Sequence, residues 1–305
     1  MNPHSPILAL VGATASGKGA LAQEIADATG ASLVSVDSRK VYRGLDIGTA
    51  KPSPEVRKEY RYAMIDCADP DQTFSAGEYV RQGRAVAGER LERGERVILV
   101  GGTGFYLDAF INGLSQLPEI DPEIRRAILS KAETDGWEAV HSEIAQADPG
   151  GADSIAPTDE TRLLRAAEVL RQTGRPIGAW QSESSPDPAP WKVLVYAVLR
   201  PRSELRERIA QRVVRMIADG LVEETQAMVE RGYGEGCPGM SGVGYVEVMS
   251  FLRGRIGRGE MMEKITTHTR QYAKRQLTWF RHRAYVRHVD FQPNIGQLLT
   301  KQWLE

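Results

Sequence analysis

A glycine-rich segment near the N-terminus carries residues that could bind phosphate. It matches the GxxxxGK pattern, in which backbone N–H groups converge on phosphate oxygens and the lysine adds a full positive charge. A short apolar run precedes the segment and a helix-permitting stretch follows it, so the positive end of a helix would strengthen the site. The alternative is a chance glycine turn before a helix. The predicted phosphate-binding residues are Gly12, Ala13, Thr14, Ala15, Ser16, Gly17, Lys18 and Gly19.

One position in this loop departs from the pattern. Gly19 stands where Ser or Thr usually provides a hydroxyl ligand for Mg²⁺. Backbone amides can still hold phosphate, but the chain loses a direct metal ligand. In P-loop nucleotide hydrolases another strand ends in an Asp that helps to hold the metal, whereas the predicted strand 96–100 continues into Gly101. The sequence therefore gives little support to nucleotide hydrolysis or phosphoryl transfer.

Two further polar residues follow apolar segments. Asp37 ends the segment 31–36, and Thr103 lies just beyond the segment 96–100. In open α/β sheets the carboxyl ends of the strands form the edge at which ligands bind. A carboxylate there could orient an amine or accept its proton, and Thr103 could hydrogen-bond the same substrate. The alternatives are that Asp37 caps the next segment and that 101–104 is a plain tight turn.

A basic stretch lies near the C-terminus. Residues 264–289 contain seven Lys or Arg residues and no acidic residue, in a protein of formal net charge −1. The spacing of Arg270, Lys274 and Arg281 places them on one stripe of a helix. A one-sided basic helix is a candidate nucleic-acid surface, and the alternative is a solvated charged face. The sequence alone leaves both interpretations open.

The elements that must position these residues alternate between short apolar strands and helices. This order predicts an α/β fold with a P-loop NTPase-like parallel sheet core flanked by helices on both faces. Residues 1–115 and 191–305 would form the core, and 116–190 an inserted all-helical domain, helical throughout 121–171. The predicted strands are 7–11, 31–36, 96–100, 193–199 and 285–289, and the predicted core helices are 17–28, 78–93, 203–218, 221–231 and 260–283.

Composition excludes several classes of protein. No apolar run approaches the roughly 20 residues that cross a bilayer, and the first five residues do not resemble a signal peptide. The two cysteines, Cys67 and Cys237, are far apart and form no CxxC pair, so we expect reduced thiols. We therefore expect a cytoplasmic monomer with no membrane partner.

Taken together, the motifs resemble those of the tRNA dimethylallyltransferases, also called tRNA isopentenyltransferases. The resemblance extends from Gly12 to about Arg283. Such enzymes transfer a five-carbon prenyl group from dimethylallyl diphosphate to the N6 amine of an adenosine next to the anticodon. The matching segments are 12–18, 37–38, 41–52, 69–76, 101–106, 159–165, 173–176, 242–245 and 269–281.

The resemblance implies roles for individual residues. The phosphate loop would hold the diphosphate leaving group, and Arg212 would help to bind it. Asp37 would act as the general base on the adenine amine, and Thr103 would hydrogen-bond the same base. Mg²⁺ is implied as a cofactor, but its protein ligand is unknown because Gly19 replaces the usual hydroxyl residue.

The resemblance also implies contacts with the anticodon stem-loop of tRNA, with the inserted domain clamping the stem. Lys40 departs from the family, which usually has Gln at this position, and this affects the recognition of neighbouring bases. The implied tRNA-binding residues are Asp37, Ser38, Arg39, Lys40, Thr103, Arg125, Thr161, Arg162, Arg165, Ser241, Gly242, Val243, Gly244, Tyr245, Arg270, Lys274, Arg275, Gln276 and Arg281.

Three other functions compete with this prediction. A small-molecule P-loop kinase is favoured by the loop but opposed by Gly19 and by the missing second carboxylate. An enzyme that prenylates free AMP or ADP would leave the basic stretch and the insertion unexplained. A tRNA-binding protein with impaired catalysis would account for Gly19.

Overall fold

A computed structural model describes residues 6–305 of the chain. These residues form two compact units. The first comprises the chain up to Ile111 and from Ala189 onward, and the second is Asn112–Pro188. The second unit begins and ends slightly earlier than the insertion predicted at 116–190. The five residues that argued against a signal peptide lie outside the described part of the chain.

Five strands form the sheet: β1 (Ile7–Val11), β2 (Ser32–Val36), β3 (Val97–Gly101), β4 (Val193–Leu199) and β5 (Val286–Asp290). Their order is β2-β3-β1-β4-β5 and every pairing is parallel, which confirms the predicted sheet. Val11 at the end of β1 lies opposite Gly101 of β3 and Ala197 of β4. The carboxyl ends of the central strands therefore meet at one edge.

Fourteen α-helices lie within residues 6–305. They are α1 (Lys18–Thr29), α2 (Pro54–Glu59), α3 (Ala76–Glu92), α4 (Gly104–Asn112), α5 (Pro122–Asp135), α6 (Trp137–Ala147), α7 (Pro149–Asp153), α8 (Glu160–Thr173), α9 (Ile177–Glu183), α10 (Arg202–Ala218), α11 (Leu221–Glu230), α12 (Tyr245–Leu252), α13 (Arg258–Arg281) and α14 (Ile295–Leu304). A 3₁₀ turn, Gly239–Ser241, precedes α12. Helices α2, α4, α9, α12 and α14 were not predicted from the sequence.

Alternate residues of a strand point to opposite sides of the sheet. A separate hydrophobic core covers each of these two sides. Leu8 and Leu10 of β1 belong to a core formed with α1 and α14, which includes Trp303. Ala9 and Val11 belong to a second core with side chains of α3, α4 and α13. No helix within residues 6–305 is both long and apolar enough to cross a membrane.

The second unit packs its own core, which includes Ile128, Val140 and Leu163. The region 121–171, predicted to be helical throughout, consists of the four helices α5 to α8 with short breaks between them. Helix α5 ends at Gly136, where φ is 81°, a left-handed value that favours glycine. Asp148 then caps α7 by accepting the N–H of Gly151, and the proline at the first helical position starts the new helix.

Candidate functional site

A cleft of about 850 Å³ opens at the carboxyl edge of the sheet in the first unit. Lys18 from the loop after β1 and Asp37 from the loop after β2 both line it. Helix α10 contributes Arg212, and α13 contributes Tyr272. The convergence of Lys18 and Asp37, expected from their places at strand ends, is present in the fold.

The glycine loop between β1 and α1 adopts backbone angles that only some of its residues tolerate. Gly12 has a φ of 140° and Gly17 a φ of 94°. A Cβ atom at Gly12 would lie 2.7 Å from the carbonyl oxygen of Val198 in β4. Strand β4 therefore fixes the start of the loop, and any side chain at position 12 would displace it.

Arginines from the second half of the chain hold the loop through its carbonyl oxygens. Arg200 Nε donates to the carbonyl of Ser16 at 2.6 Å, and Arg208 Nε donates to that of Ala15 at 2.8 Å. The guanidinium of Arg200 also stacks on Phe291, 3.5 Å from the ring centroid. The sequence prediction missed both arginines, although Arg200 directly follows β4 at the ligand-binding edge.

Gln276 occupies a different place from the one predicted. It was assigned to tRNA contacts, but only 6% of it is exposed. Its Oε1 accepts the N–H of Thr14 at 2.8 Å, and its Nε2 donates to the carbonyl of Gly102 at 2.9 Å. Its buried amide therefore connects α13 to both glycine loops and positions them, and the residue also lines the cleft.

Asp37 both caps the turn that follows it and lines the cleft. Its Oδ1 caps the following turn by accepting the N–H groups of Arg39 at 2.9 Å and Lys40 at 3.3 Å. Within residues 6–305, Oδ2 has no hydrogen-bond partner, and the carboxylate lines the cleft. Thr103 Oγ1 accepts the N–H of Ser38 at 2.9 Å and so fixes the residue next to Asp37.

Tyr272 was missed by the sequence prediction although it lies within the basic stretch. Burial raises the pKa of its hydroxyl to about 12, and the nearby Asp37 carboxylate adds to this effect. Tyr272 therefore stays protonated at neutral pH and presents a hydrogen-bond donor in the cleft beside Asp37.

Seven cations that line the cleft have no carboxylate partner in the described part of the chain: Lys18, Arg39, Lys40, Arg208, Arg212, Arg215 and Arg275. Among residues 6–305, Lys18 Nζ bonds only the carbonyl of Ala13, at 3.1 Å. Burial lowers the pKa of Lys18 to about 7, and it also lowers the pKa values of Lys40 and Arg212, while Asp37 acts in the opposite direction on all three. A polyanion entering the cleft would relieve this mutual repulsion.

The donor set of the cleft does not fit a magnesium ion held by protein ligands. No group of three or more His, Cys, Asp or Glu residues within 6–305 could hold a metal. Gly19 offers only open space within 4 Å of its ideal Cβ position. Asp46, a further carboxylate of the cleft, is already paired with Lys51 at 2.9 Å and Arg57 at 3.2 Å.

The exposed face of α13 carries the predicted basic stripe. Arg270, Lys274 and Arg281 are all exposed, and none has an ion-pair partner among the described residues. Ile265 and Phe280 are buried and pack the opposite side of the helix. Arg275 on the same helix lines the cleft.

The segment before α12 is only partly exposed. Ser241 is exposed, and its Oγ accepts a hydrogen bond from Arg39 Nη1 at 3.0 Å. Tyr245, predicted to contact tRNA, is buried and donates its hydroxyl to Glu224 Oε1 at 2.7 Å. Tyr245 packs in the core and also lines the cleft, so its predicted contact with tRNA stays a prediction. Of the remaining predicted residues, Gly242 and Gly244 are buried and Val243 lines the cleft.

In the second unit, the predicted tRNA-binding arginines are all ion-paired. Arg125 and Arg165 both bond Glu168, at 2.5 Å and 3.3 Å, and the Glu168 side chain is 3% exposed. Arg162 pairs with Asp159 at 3.4 Å. Thr161, between them in sequence, is exposed.

Comparison with protein families places the chain among enzymes. Residues 40–283 match the family model described as IPP transferase. A tRNA dimethylallyltransferase of Geobacter sulfurreducens is 40% identical, over 96% of this chain and 94% of the relative. The tRNA dimethylallyltransferase of Methylococcus capsulatus is 43% identical, over 90% of this chain and 89% of the relative.

Two solved structures also align with this chain. The full-length tRNA isopentenylpyrophosphate transferase of Bacillus halodurans aligns with a TM-score of 0.72 at 30% identity, over 98% of this chain and 97% of the other. A eukaryotic dimethylallyltransferase, solved acting on tRNA, aligns with a TM-score of 0.78 at 21% identity, over 93% of this chain and 73% of the other. At that identity the second likeness concerns the fold alone.

Proposed function

Because this chain belongs to the IPP transferase family, we propose that it transfers a dimethylallyl group from dimethylallyl diphosphate to tRNA. The acceptor would be the N6 amine of the adenosine next to the anticodon. The observation that carries this proposal is the cleft itself, in which Lys18, Lys40 and Arg212 surround an anion site beside the Asp37 carboxylate.

The cations of the cleft suit a diphosphate leaving group. When the carbon–oxygen bond of dimethylallyl diphosphate breaks, negative charge grows on the departing diphosphate. The backbone amides of the glycine loop, Lys18 and Arg212 would stabilise that charge, and they are already fixed in place by the fold. Such preorganised groups accelerate a reaction because they need no rearrangement when the charge develops.

Asp37 suits the role of general base. As the adenine nitrogen forms its bond to the prenyl carbon, the N6 proton would pass to Oδ2 of Asp37, which has no hydrogen-bond partner within residues 6–305. The bond from Oδ1 to the Arg39 N–H holds the carboxylate in one orientation. Thr103 would hydrogen-bond the adenine while it fixes Ser38.

Mg²⁺ remains a prediction from the family resemblance. Gly19 does not offer the hydroxyl ligand of an ordinary P-loop metal site, and residues 6–305 contain no cluster of three or more His, Cys, Asp or Glu residues that could hold a metal. Mg²⁺ commonly keeps several waters and binds substrate phosphates, so we assign no step of the reaction to a metal held by the chain.

The exposed basic residues of α13 suit contacts with tRNA phosphates. Arg270, Lys274 and Arg281 would fix the position of the tRNA without reading its sequence. The target adenosine must leave its base stack to reach the cleft, as base-modifying enzymes generally require. We propose that the second unit contacts the anticodon stem.

Incubation of the purified protein with an unmodified tRNA and labelled dimethylallyl diphosphate tests the proposal. We expect label in the tRNA, and none in a matched tRNA that has guanosine next to the anticodon. Free AMP and ADP serve as alternative acceptors. Absence of label in tRNA, with an active control enzyme in the same assay, would overturn the proposed function.

A further inference from the structure

We propose that Lys40 is a third cation of the diphosphate site, acting with Lys18 and Arg212, and not a contact for tRNA bases. This inference rests on the proposed function, because it assigns another residue to the same leaving group. It changes the role implied for Lys40 by the sequence resemblance.

The backbone of Lys40 is held at the mouth of the cleft. Its N–H donates to Asp37 Oδ1 at 3.3 Å, and its carbonyl accepts the N–H of Asp66 at 3.2 Å. Its side chain lines the same cleft as Lys18 and Gly19 of the glycine loop. The turn after β2 therefore brings a lysine to the cleft that the glycine loop also lines.

A comparison with Lys51 shows what Lys40 lacks. Lys51 also lines the cleft, and its fully buried side chain lies 2.9 Å from Asp46 and 2.6 Å from Asp66. Lys40 has no such partner within residues 6–305. The fold supplies Lys51 with two carboxylate partners, whereas the partly buried Lys40 remains able to pair with an anionic ligand.

The surrounding charges indicate an anionic ligand. Burial lowers the pKa of Lys40, Asp37 partly offsets this, and Arg212 lowers the pKa further. Among the charged neighbours of Lys18, Lys40 has the largest effect on its pKa. Both lysines line the same cleft, and a neutral nucleobase could not relieve their repulsion as a diphosphate would.

The glycine at position 19 makes the charge of Lys40 important for binding diphosphate. Gly19 supplies no hydroxyl for a metal ion, and the described residues form no metal-binding cluster. Lys40 adds positive charge to a cleft that lacks this hydroxyl ligand. We therefore expect the protein to bind diphosphate without added metal.

Calorimetric titration of the full chain with inorganic diphosphate in the presence of EDTA tests this inference. Lys40→Met should weaken binding by about tenfold or more, the factor typical of losing a charged hydrogen bond. Lys40→Arg should retain affinity within about threefold because the charge remains. The matched control is Lys274→Met, on the exposed face of α13, which should leave diphosphate affinity unchanged.

Binding of unmodified tRNA, measured on the same variants, should give the opposite pattern. Lys40→Met should retain the wild-type tRNA affinity, and Lys274→Met should lose affinity. Wild-type diphosphate affinity in Lys40→Met, or a loss of tRNA affinity as large as the loss of diphosphate affinity, would overturn the inference. If Lys40→Met has a lowered melting temperature, Lys40→Gln provides the same comparison with a polar side chain.

The proposed function is tested separately by label transfer with the wild-type protein. Label in tRNA together with unchanged diphosphate binding in Lys40→Met would reject only the role of Lys40. Absence of label together with weakened diphosphate binding in Lys40→Met would reject the proposed function and would leave Lys40 as part of a diphosphate-binding site.

Discussion

The cleft and the second unit both contain clustered basic residues, but their electrostatic states are opposite. Lys18, Lys40 and Arg212 in the cleft have no carboxylate partner within residues 6–305. In the second unit, Arg125 and Arg165 share the buried carboxylate of Glu168. The same residue types are unsatisfied in one region and neutralised in the other.

This difference indicates where the protein keeps its capacity to bind anions. An arginine that already has a carboxylate partner gains less from a phosphate, because binding must first weaken the existing pair. An enclosed cation without a partner gains the full interaction. The cleft is therefore prepared for a polyanion at some cost in stability, whereas the second unit uses its charges to hold its helices together.

The largest effect is expected from the carboxylate that faces the unpaired cations. Asp37→Asn should reduce the rate of prenyl transfer by about 10²- to 10⁴-fold, the usual contribution of a general base. Diphosphate should bind as well as before or better, because the variant removes a negative charge beside Lys18 and Arg212. Single-turnover transfer and diphosphate titration measure the two effects, and a near-normal rate would reject the role of Asp37 as base.

The second expected effect concerns pH. Lys18, with its pKa lowered to about 7, is charged below that pH and loses its proton above it in the free protein. A bound diphosphate stabilises the charged form, so affinity should fall by up to about tenfold per pH unit above pH 7. Titration of inorganic diphosphate from pH 6 to 9 measures this fall.

Lys18→Arg is the matched control, since a guanidinium stays charged throughout this range. The ionisation of the ligand affects both proteins equally, so the difference between the two curves isolates Lys18. Lys40, Arg212 and Asp37 also act on this group and remain in both proteins. Parallel curves would show that Lys18 does not titrate near neutral pH.

A smaller effect, on tRNA binding, should distinguish an exposed cation without an ion-pair partner among residues 6–305 from an exposed cation that has one. Lys274→Ala should weaken tRNA binding and reduce the slope of log K against log salt by about 1, as expected for one lost phosphate contact. Arg162→Ala should change the slope less, because Arg162 pairs with Asp159 at 3.4 Å. Filter binding across a salt series measures both slopes. Equal changes would show that the ion pair of Arg162 does not matter.

Much of the sheet and of its ligand-binding edge could be predicted from the sequence. Strand β4 lies at the predicted residues, because a buried parallel strand is a short, continuous apolar run. The places of Lys18 and Asp37 followed from the rule that strand ends share one edge. These features are local, and a motif or an apolar segment is enough to specify each of them.

The contacts that complete the site join residues that are distant in the chain. Gln276 bonds the loop residue Thr14 across 262 positions, and Arg200 bonds Ser16 across 184. Helical spacing predicted the exposed stripe of α13, but it gave no indication that Gln276 on the same helix is buried. The pairing of Arg165 with Glu168, three residues later, was accessible from sequence, whereas that of Arg125 with Glu168 was not.

The smallest effect is expected from a substitution in the second unit that leaves two arginines without their carboxylate partner. Glu168→Gln keeps the size of the buried side chain and removes its charge, which releases Arg125 and Arg165 from their shared partner. Because these arginine side chains are 56% and 39% exposed, water can solvate them, and we expect a stability loss of about 1 kcal/mol.

If the second unit contacts tRNA, the released arginines should bind phosphate, so Glu168→Gln should increase tRNA affinity by about two- to threefold. Its salt dependence should become steeper, with an added slope of up to about 1. Glu143→Gln is the matched control, since Glu143 pairs with Lys131 and Arg171, which are not implied tRNA contacts. Equal tRNA affinities for the two variants would mean that ion pairing does not limit the contribution of Arg125 and Arg165. The difference in ion pairing between the cleft and the second unit would then not explain where the protein binds anions.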